Sequence, residues 1–265
     1  MVANILTIAG SDSGGGAGIQ ADLKSFSAQG TYGASVITAI TAQNTCAVTA
    51  VHPVPTGVIR AQIETVLSDI QIDAIKIGML GMPDVIATLA KALADYQGPI
   101  VLDPVMIAKS GAQLLPQSAV AALQEHLVPC ATVLTPNLPE AAVLLEAEPA
   151  RRVVDAEAQG RSLQNISGGA VLMKGGHLDD DVCTDLLFDG GDIHHFSAPR
   201  VQTKNTHGTG CSYSAAIAAL LGKGSDLSSA VREAHHWLHG AIARADMLSV
   251  GQGHGPVHHF HQIWA

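Results

Sequence analysis

Asn205-Thr-His-Gly-Thr-Gly-Cys-Ser212 runs directly into the apolar, alanine-rich segment Tyr213-Ser-Ala-Ala-Ile-Ala-Ala-Leu-Leu221. The pattern predicts a glycine-bearing turn that leads into a buried helix. Such a junction directs several free backbone N–H groups at one point, with the positive end of the helix dipole behind them. We therefore expect it to bind an anion, specifically a phosphate. Cys211 lies in the first turn, where the pKa of a thiol is expected to fall.

Strand-like and helical segments alternate along the rest of the chain. Strand patterns lie at Val2–Ala9, Gly33–Thr41, Ala74–Ile77, Pro99–Leu102, Thr132–Leu134 and Ala170–Met173, with a hairpin over Val182–Phe188 and His194–Ala198. Helical patterns lie at Ile19–Gln29, Thr56–Ile70 with Thr56 as its cap, Met82–Asp95, Gln117–Leu127, from Asn137 onward, Asp155–Asn165, Gly210–Leu221 and Leu227–Met247. This alternation predicts an α/β fold with a mostly parallel sheet covered on both faces. No linker or repeat divides the sequence, so we expect one domain over residues 1–265.

Composition argues against several classes of protein. The 265 residues carry a net charge of −9 with no basic block, which disfavours nucleic acid and anionic membranes as partners. No apolar run approaches the roughly 18–20 residues that span a bilayer. The four cysteines are widely spaced and no secretory leader is recognisable, which indicates reduced thiols in the cytosol. We expect a cytoplasmic protein.

Ligand crevices of parallel sheets lie beyond the carboxyl ends of the strands. The candidate motifs follow predicted strands and lie at Gly10–Gly18, Gly78–Gly81, Asp103–Gly111, Thr135–Glu140 and Lys174–His177. The first of them matches neither a dinucleotide fingerprint nor a Walker loop, so it is either a tight turn or a loop that contacts a ligand. Asp22, one helical turn further on, is placed to reach the same crevice.

Three of these motifs carry charged side chains, and two of the three have two interpretations each. Asn137 and Glu140 form either a capping box or a carboxylate site that steers Mg²⁺ beside phosphates. Asp103 belongs either to an Asp-Pro turn or to an electrostatic or metal site. Lys174 precedes two glycines and suits a phosphate contact. His235 and His239 have a metal-ligand spacing, but we expect the C-terminal histidines to be exposed or capping residues.

The order of the motifs is more specific than any one of them. The quoted segments are Ala9–Asp22, Thr38–Asn44, Lys76–Leu80, Asp103–Met106, Thr135–Glu140, Lys174–His177 and Asn205–Cys211. Together they resemble the hydroxymethylpyrimidine/phosphomethylpyrimidine kinases of bacterial thiamine biosynthesis, within the ribokinase-like superfamily. The resemblance implies a three-layer α/β/α sandwich, ATP and Mg²⁺ as cofactors, and a homodimer.

The resemblance also implies roles for individual residues. It places the pyrimidine substrate against Gln43, Ala17, Asp22, Met79 and Val105. It places ATP and its phosphates against Lys174, Asn137, Glu140, Thr206 and Thr209, with Mg²⁺ near Glu140 and Asp103, directly or through water. It assigns catalysis to Gly208, Gly210 and Cys211. Cys211 stands where most sugar kinases of the superfamily carry an aspartate, so we expect it to orient the substrate hydroxyl or accept its proton.

The implied reaction converts 4-amino-5-hydroxymethyl-2-methylpyrimidine to its monophosphate and then to the diphosphate. Pyridoxal kinase is the alternative activity, because pyridoxal also presents a hydroxymethyl group on an aromatic nitrogen ring. A catalytically silent pyrimidine-binding protein is a third interpretation, disfavoured because Lys174, Glu140 and Gly208–Cys211 are all present. Tyr213 departs from the leucine common in the family, and it either lines the site or packs.

Overall fold

The computed structural model describes residues 1–106, 115–176 and 181–264. Its strands are β1 (Asn4–Ala9), β2 (Tyr32–Ile37), β3 (Ala39–Gln43), β4 (Val48–Pro53), β5 (Ala74–Ile77), β6 (Ile100–Leu102), β7 (Val133–Leu134), β8 (Ala170–Met173), β9 (Val182–Asp189) and β10 (Asp192–Pro199). Its helices are α1 (Gly18–Ala28), α2 (Thr56–Asp69), α3 (Pro83–Ala92), α4 (Gln117–His126), α5 (Leu138–Leu144), α6 (Val153–Ser167), α7 (Thr209–Gly222) and α8 (Leu227–Ala243). Among these residues, no helix is both long enough and apolar enough to cross a membrane.

The central sheet has the strand order β10-β9-β8-β7-β6-β5-β1-β2. The six strands from β8 to β2 in this order pair in parallel, whereas β9 and β10 extend the sheet as an antiparallel hairpin. Parallel pairing aligns the carboxyl ends of the strands at one edge. The loops after β1, β5, β6, β7 and β8 therefore leave the sheet on the same side.

Helices cover both faces of this sheet, as the alternation predicts. Helices α2 to α6 pack on one face, and α1, α7 and α8 pack on the other. Neighbouring strand residues serve opposite faces, since Leu6 lies in the first of these cores and Ile5 in the second. Helix α7 is buried continuously from Ser212 to Leu220, which confirms the predicted buried helix. The three-layer α/β/α, ribokinase-like prediction is confirmed.

The predicted strand Gly33–Thr41 is wrong as a single element. The chain forms β2, leaves the sheet at Thr38, and then forms β3, which pairs antiparallel with β4 in a separate two-stranded sheet. Thr38 marks the break because its N–H binds the Ala9 carbonyl and its hydroxyl donates to the Met79 carbonyl. Hydrophobic periodicity does not show which strand a segment pairs with, so it does not reveal the change of partner at Thr38. Strand β4 is absent from the sequence prediction.

Two helix ends and the C-terminal histidines also differ from expectation. Thr56 is not the cap of α2, because Pro55 occupies that position and no side chain caps the helix. Helix α8 ends at Ala243 and is followed by a 3₁₀ turn over Ala245–Met247. The expectation of exposed or capping histidines fails for His258, His259 and His261, which are buried. The last two pack beside Trp237, so the C-terminal segment contributes to the core.

Candidate active site

The N-terminus of α7 is the predicted anion site, and the structure leaves its amides available. Within the described residues, the N–H groups of Gly210 and Cys211 have no hydrogen-bond partner. Thr209 is different, because its hydroxyl and its N–H both donate to the Thr206 carbonyl, at 2.7 and 3.3 Å. Two aligned amides at a helix start, with the helix dipole behind them, favour a phosphate oxygen.

Gly208 sets the geometry of this turn. Its φ is +77°, and a Cβ built there would collide with the Gly16 carbonyl in the loop after β1. Glycine is required on both counts, since the left-handed region and the close approach each exclude a side chain. The same contact joins the loop of Gly10–Gly18 to the N-terminus of α7. The first motif therefore lies against the turn predicted to bind phosphate, Thr206–Cys211, which is called the phosphate turn.

Gly208→Ala is expected to lower the free energy of unfolding by more than the about 1–3 kcal/mol that backbone strain alone costs. The added Cβ also has to displace the Gly16 carbonyl. Gly224→Ala is the matched control, because Gly224 has φ +90° but nothing within 4 Å of the point where a Cβ would stand. Urea unfolding of Gly224→Ala measures the cost of backbone strain alone, and that of Gly208→Ala measures strain together with the collision. Equal losses of unfolding free energy in the two variants would contradict a close approach at Gly208.

The pKa of Cys211 contradicts the expectation that it falls. Burial of the thiol, together with the smaller contributions of the Asp22 and Asp103 carboxylates, raises its pKa to about 11. The Lys76 ammonium and the Gly18 N–H oppose this shift without overcoming it. The helix N-terminus is therefore outweighed by desolvation, which disfavours the thiolate. At neutral pH Cys211 is a neutral thiol.

The Lys174 ammonium lies beside the anion site. Its Nζ lies 2.8 Å from Asp103 Oδ1 and 4.0 Å from Glu140 Oε2. A Cβ on Gly210 would stand 3.3 Å from the same Nζ, so the ammonium borders the α7 amides. Burial lowers the pKa of Lys174, but Asp103 and Glu140 outweigh burial and raise it above its ordinary value. The side chain is charged, 14 % exposed and directed at the phosphate turn.

Both carboxylate oxygens of Asp103 accept hydrogen bonds from neighbouring side chains. Oδ1 accepts from Lys174 and, at 3.4 Å, from Thr135, while Oδ2 accepts from the Ser214 hydroxyl at 3.2 Å. Burial raises the pKa of Asp103, but Lys174 and Lys76 hold it below its ordinary value. The structure thus gives Asp103 an ion pair with Lys174 at this strand end, and its role in the site stays a prediction.

Asn137 and Glu140 form the capping box that the sequence offered as one interpretation. The Asn137 side chain accepts the Glu140 N–H at 2.9 Å, and Glu140 Oε2 accepts the Asn137 N–H at 2.8 Å. Glu140 also borders Lys174, so capping does not remove it from the site. Burial and the neighbouring Asp103 raise the pKa of Glu140 to about 7, against the opposing charge of Lys174.

Asp22 forms a buried ion pair, and its expected contact with the substrate stays a prediction. Its carboxylate is fully buried and accepts both Lys76 Nζ, at 2.9 Å to each oxygen, and the Thr7 hydroxyl at 2.6 Å. Burial lowers the pKa of Lys76, but Asp22 outweighs it and raises that pKa. Sequence reasoning gave no role to Lys76, although a lysine inside the buried strand β5 signals a buried partner.

The other four residues expected around the pyrimidine are half-buried and lie along the loops of β1, β3, β5 and β6. Met79 stands over Gly10, where an added Cβ would meet its methyl group, and Ala17 precedes α1. Val105 follows Asp103 and donates its N–H to the Asp103 carbonyl. Gln43 ends β3, with its Nε2 3.3 Å from His207 Nε2. Thr206 lies in the turn itself, and between the described residues its side chain forms no hydrogen bond with the cluster.

Two polar residues that sequence reasoning missed join the two loops. Asp12 Oδ2 lies 2.8 Å from His207 Nε2, and Asp12 also accepts the N–H groups of Gly14, Gly16 and Ala17. The available signal was an aspartate inside a glycine-rich turn, where a carboxylate satisfies several backbone donors. Of the predicted motifs, His177 and the stretch 107–111 lie outside the described residues.

Other candidate features lie away from this cluster. His235 approaches Asp185 and His239 contacts the Pro199 carbonyl, and the part of the chain that the structure describes holds no group of three metal-ligand side chains. Tyr213 is buried in the helical core. A cleft of about 620 Å³ lies near Thr132 and Gly169, which precede β7 and β8 and so occupy the opposite edge of the sheet.

Comparisons with known proteins agree with this geometry. A family model described as phosphomethylpyrimidine kinase matches residues 12–258. The hydroxymethylpyrimidine/phosphomethylpyrimidine kinase of Escherichia coli K12 is 54 % identical over 262 residues, which cover 98 % of both chains. A phosphomethylpyrimidine kinase structure from Clostridium difficile 630 has a TM-score of 0.80 at 42 % identity, covering 91 % of this chain and 99 % of that one. An ADP complex of Bacillus subtilis pyridoxal kinase has a TM-score of 0.92 at 36 % identity, covering all of both chains.

Proposed function

The chain belongs to the phosphomethylpyrimidine kinase family, and from that premise we propose that it transfers phosphate from ATP to 4-amino-5-hydroxymethyl-2-methylpyrimidine and then to the resulting monophosphate. The observation that carries this proposal is the pair of unpartnered amides at Gly210 and Cys211 beside the Lys174 ammonium. Phosphoryl transfer depends mainly on positioning and on stabilising charge, and this arrangement supplies both.

The transferring phosphoryl group is proposed to lie between the α7 amides and Lys174. The amides of Gly210 and Cys211 hold its equatorial oxygens, while Lys174 neutralises charge that develops on them. Asp103 keeps Lys174 in place through the 2.8 Å contact. Asn137 and Thr206 are proposed to border ATP, with Thr209 bracing the turn through its bond to the Thr206 carbonyl.

The carboxylates present fit Mg²⁺. Glu140 and Asp103 are oxygen donors beside the phosphate turn, and Mg²⁺ in kinases needs only one or two carboxylates together with water and substrate phosphates. Because their oxygens already accept hydrogen bonds, we propose that they hold the ion through water. The ion would neutralise phosphate charge and would favour the ionised form of Glu140, whose pKa is about 7 without it.

Cys211 is proposed to orient the substrate hydroxyl rather than to remove its proton in advance. Its raised pKa keeps the thiol neutral, and a loose phosphoryl-transfer transition state needs little early base assistance. The thiol lies in the same turn as the amides that receive the phosphoryl group, which is where the attacking oxygen has to stand for in-line transfer.

Cys211→Ala is expected to lower kcat by about 10²-fold, because misplacement of the attacking oxygen costs rates of that order. Cys211→Ser should retain more activity, since a neutral hydroxyl also forms hydrogen bonds. Cys130→Ala, at an exposed cysteine, is the matched control. Steady-state kinetics with unfolding curves give the comparison, and near-normal kcat in a folded Cys211→Ala protein would contradict this role.

The decisive experiment for the function is a substrate panel. Purified protein with Mg-ATP is incubated separately with hydroxymethylpyrimidine, its monophosphate and pyridoxal, and phosphorylated products are identified by mass. We expect both pyrimidines to be converted. Turnover of pyridoxal alone would replace the proposal with the pyridoxal kinase alternative, which the likeness to the Bacillus subtilis structure favours. Binding of ATP without transfer to any of the three would support the silent protein.

A cytoplasmic homodimer completes the proposal. The four cysteines are free thiols, as expected in a reducing compartment. The β3–β4 sheet stands apart from the central sheet and exposes the apolar side chains of Ile40 and Val51, which suits a contact between two copies. Sedimentation of the protein and of an Ile40→Lys variant tests this surface, since the charge should shift the protein to monomer.

A further inference from the structure

The Asp12 carboxylate determines which nitrogen of His207 carries a proton. Asp12 accepts N–H groups from Gly14, Gly16 and Ala17 at 2.8–3.0 Å, an environment for an ionised carboxylate. Burial raises the pKa of Asp12, but the hydrogen bond and charge of His207 and the backbone donors lower it overall. An ionised carboxylate only accepts, so His207 Nε2, at 2.8 Å, has to be the donor.

The Thr41 hydroxyl is constrained in the same way. Its oxygen lies 2.8 Å from the Ser11 carbonyl, which only accepts, so the single hydroxyl proton is committed to that bond. Thr41 Oγ1 also lies 3.4 Å from the side-chain amide of Gln43. Toward Gln43 the hydroxyl is therefore an acceptor.

Gln43 lies between these two fixed groups. In the structure Gln43 Nε2 lies 3.3 Å from His207 Nε2, so two donors face each other. Gln43 Oε1 faces the Thr41 hydroxyl oxygen, so two acceptors face each other as well. Oxygen and nitrogen of a side-chain amide are assigned from their hydrogen-bond partners, and a rotation of 180° exchanges them. The rotation corrects both contacts at once. Oε1 then accepts from His207, which shares its proton with Asp12, and Nε2 donates to Thr41.

We propose that Asp12 and His207 form a positioning dyad that holds the Gln43 amide with its oxygen toward His207 and its nitrogen toward Thr41, and that this orientation selects the substrate. The amide then presents a free acceptor position next to the phosphate turn, because His207 directly precedes Gly208. Its nitrogen lies on the side of Thr41, where one N–H is donated to the Thr41 hydroxyl and the second N–H is left for a ligand.

This inference rests on the proposed pyrimidine substrate. In that ring the 4-amino group is adjacent to the hydroxymethyl carbon, and the acceptor N3 is the next atom along the edge. With the hydroxymethyl group at the phosphate turn, the amine meets Oε1 and N3 meets Nε2. A 4-oxo analogue reverses both contacts, since its oxygen faces Oε1 and its N3–H faces Nε2. Pyridoxal carries a formyl oxygen where the pyrimidine has its amine, and that oxygen also faces Oε1.

The first test compares kcat/KM for the 4-amino substrate and its 4-oxo analogue. We expect the wild-type protein to prefer the amine by at least about 10³-fold, since sites built around hydrogen bonds reject mismatched analogues strongly. His207→Leu removes the donor, and the preference should fall at least about tenfold. His207→Gln is the matched variant, because its terminal N–H₂ replaces Nε2–H, and it should keep the preference within about threefold. An unchanged preference in His207→Leu would overturn the dyad's role.

The second test does not depend on turnover. Long-range ¹H–¹⁵N spectra of histidine-labelled wild-type protein report which imidazole nitrogen is protonated, and the spectrum of His207→Gln identifies the signal that belongs to His207. We expect a protonated Nε2, and a bare Nε2 would overturn the proposal. If no pyrimidine is phosphorylated at all, the proposed function fails in the substrate panel, while this signal still decides how Asp12, His207 and Gln43 are bonded.

Discussion

Lys174→Met is expected to lower kcat/KM for phosphate transfer by about 10³-fold, the loss that follows removal of one strong electrostatic contact to a transition state. Lys174 is the ammonium beside the Gly210 and Cys211 amides, and methionine keeps its length without its charge. Steady-state kinetics with varied Mg-ATP measure the change, and we expect kcat to carry most of it, because charge on the phosphoryl oxygens is largest in the transition state.

The control for Lys174→Met accounts for the Asp103 carboxylate, which loses its ionic partner in that variant. Without Lys174, Asp103 is a buried charge whose pKa should rise, and the protein should lose stability. The double variant Lys174→Met/Asp103→Asn removes that charge, so it should regain much of the stability and none of the activity. Recovery of activity in the double variant would show that Lys174 serves only to neutralise Asp103.

Lys76→Met is expected to lower the free energy of unfolding by about 3–5 kcal/mol, the range found when one partner of a buried ion pair is removed. Lys76 and Asp22 have fully buried side chains, and both Asp22 oxygens lie 2.9 Å from Lys76 Nζ. Methionine leaves Asp22 as an unpaired charge, and within the described part of the chain the Thr7 hydroxyl is its remaining hydrogen-bond partner. Urea unfolding monitored by circular dichroism measures the loss.

Two companion variants separate the ion pair from simple packing. Asp22→Leu/Lys76→Met removes both charges and should be more stable than Lys76→Met alone, because no buried charge is left unpaired. Arg152→Met breaks the exposed pair between Arg152 and Asp155 and should leave the unfolding curve unchanged. If the double variant is no more stable than Lys76→Met, the stability lost in Lys76→Met comes from altered packing and not from an unpaired charge.

The fold could be predicted because each parallel strand and its covering helix carry a local hydrophobic pattern. Ala170–Met173 matches its predicted strand at both ends, and α7 begins within one residue of its predicted start. The β3–β4 sheet escaped because strand pairing is a long-range choice that local periodicity does not encode. Thr38 illustrates the difficulty, since its two hydrogen bonds to β1 and to Met79 end one strand and begin another.

The candidate site could be predicted only as a set of motifs at strand ends. The structure brings Lys174, Asp103 and Glu140 together beside the α7 amides, as their positions after parallel strands suggested. Asp12 and His207 were missed because their partners are each other, 195 residues apart in sequence. No short-range spacing rule detects a pair of this kind.

The sequence alone was sufficient for the layered α/β architecture, the glycine turn at the start of α7 and the family, because glycines, apolar periodicity and motif order are local properties of the chain. The protonation states of the site required the packed molecule. Cys211 shows why: its place in the first turn of a helix favours a thiolate, whereas its burial among Asp22 and Asp103 raises its pKa to about 11. A pKa depends on the charges near a group and on how far the group is removed from solvent. Tertiary packing sets both, because it brings distant parts of the chain around the group.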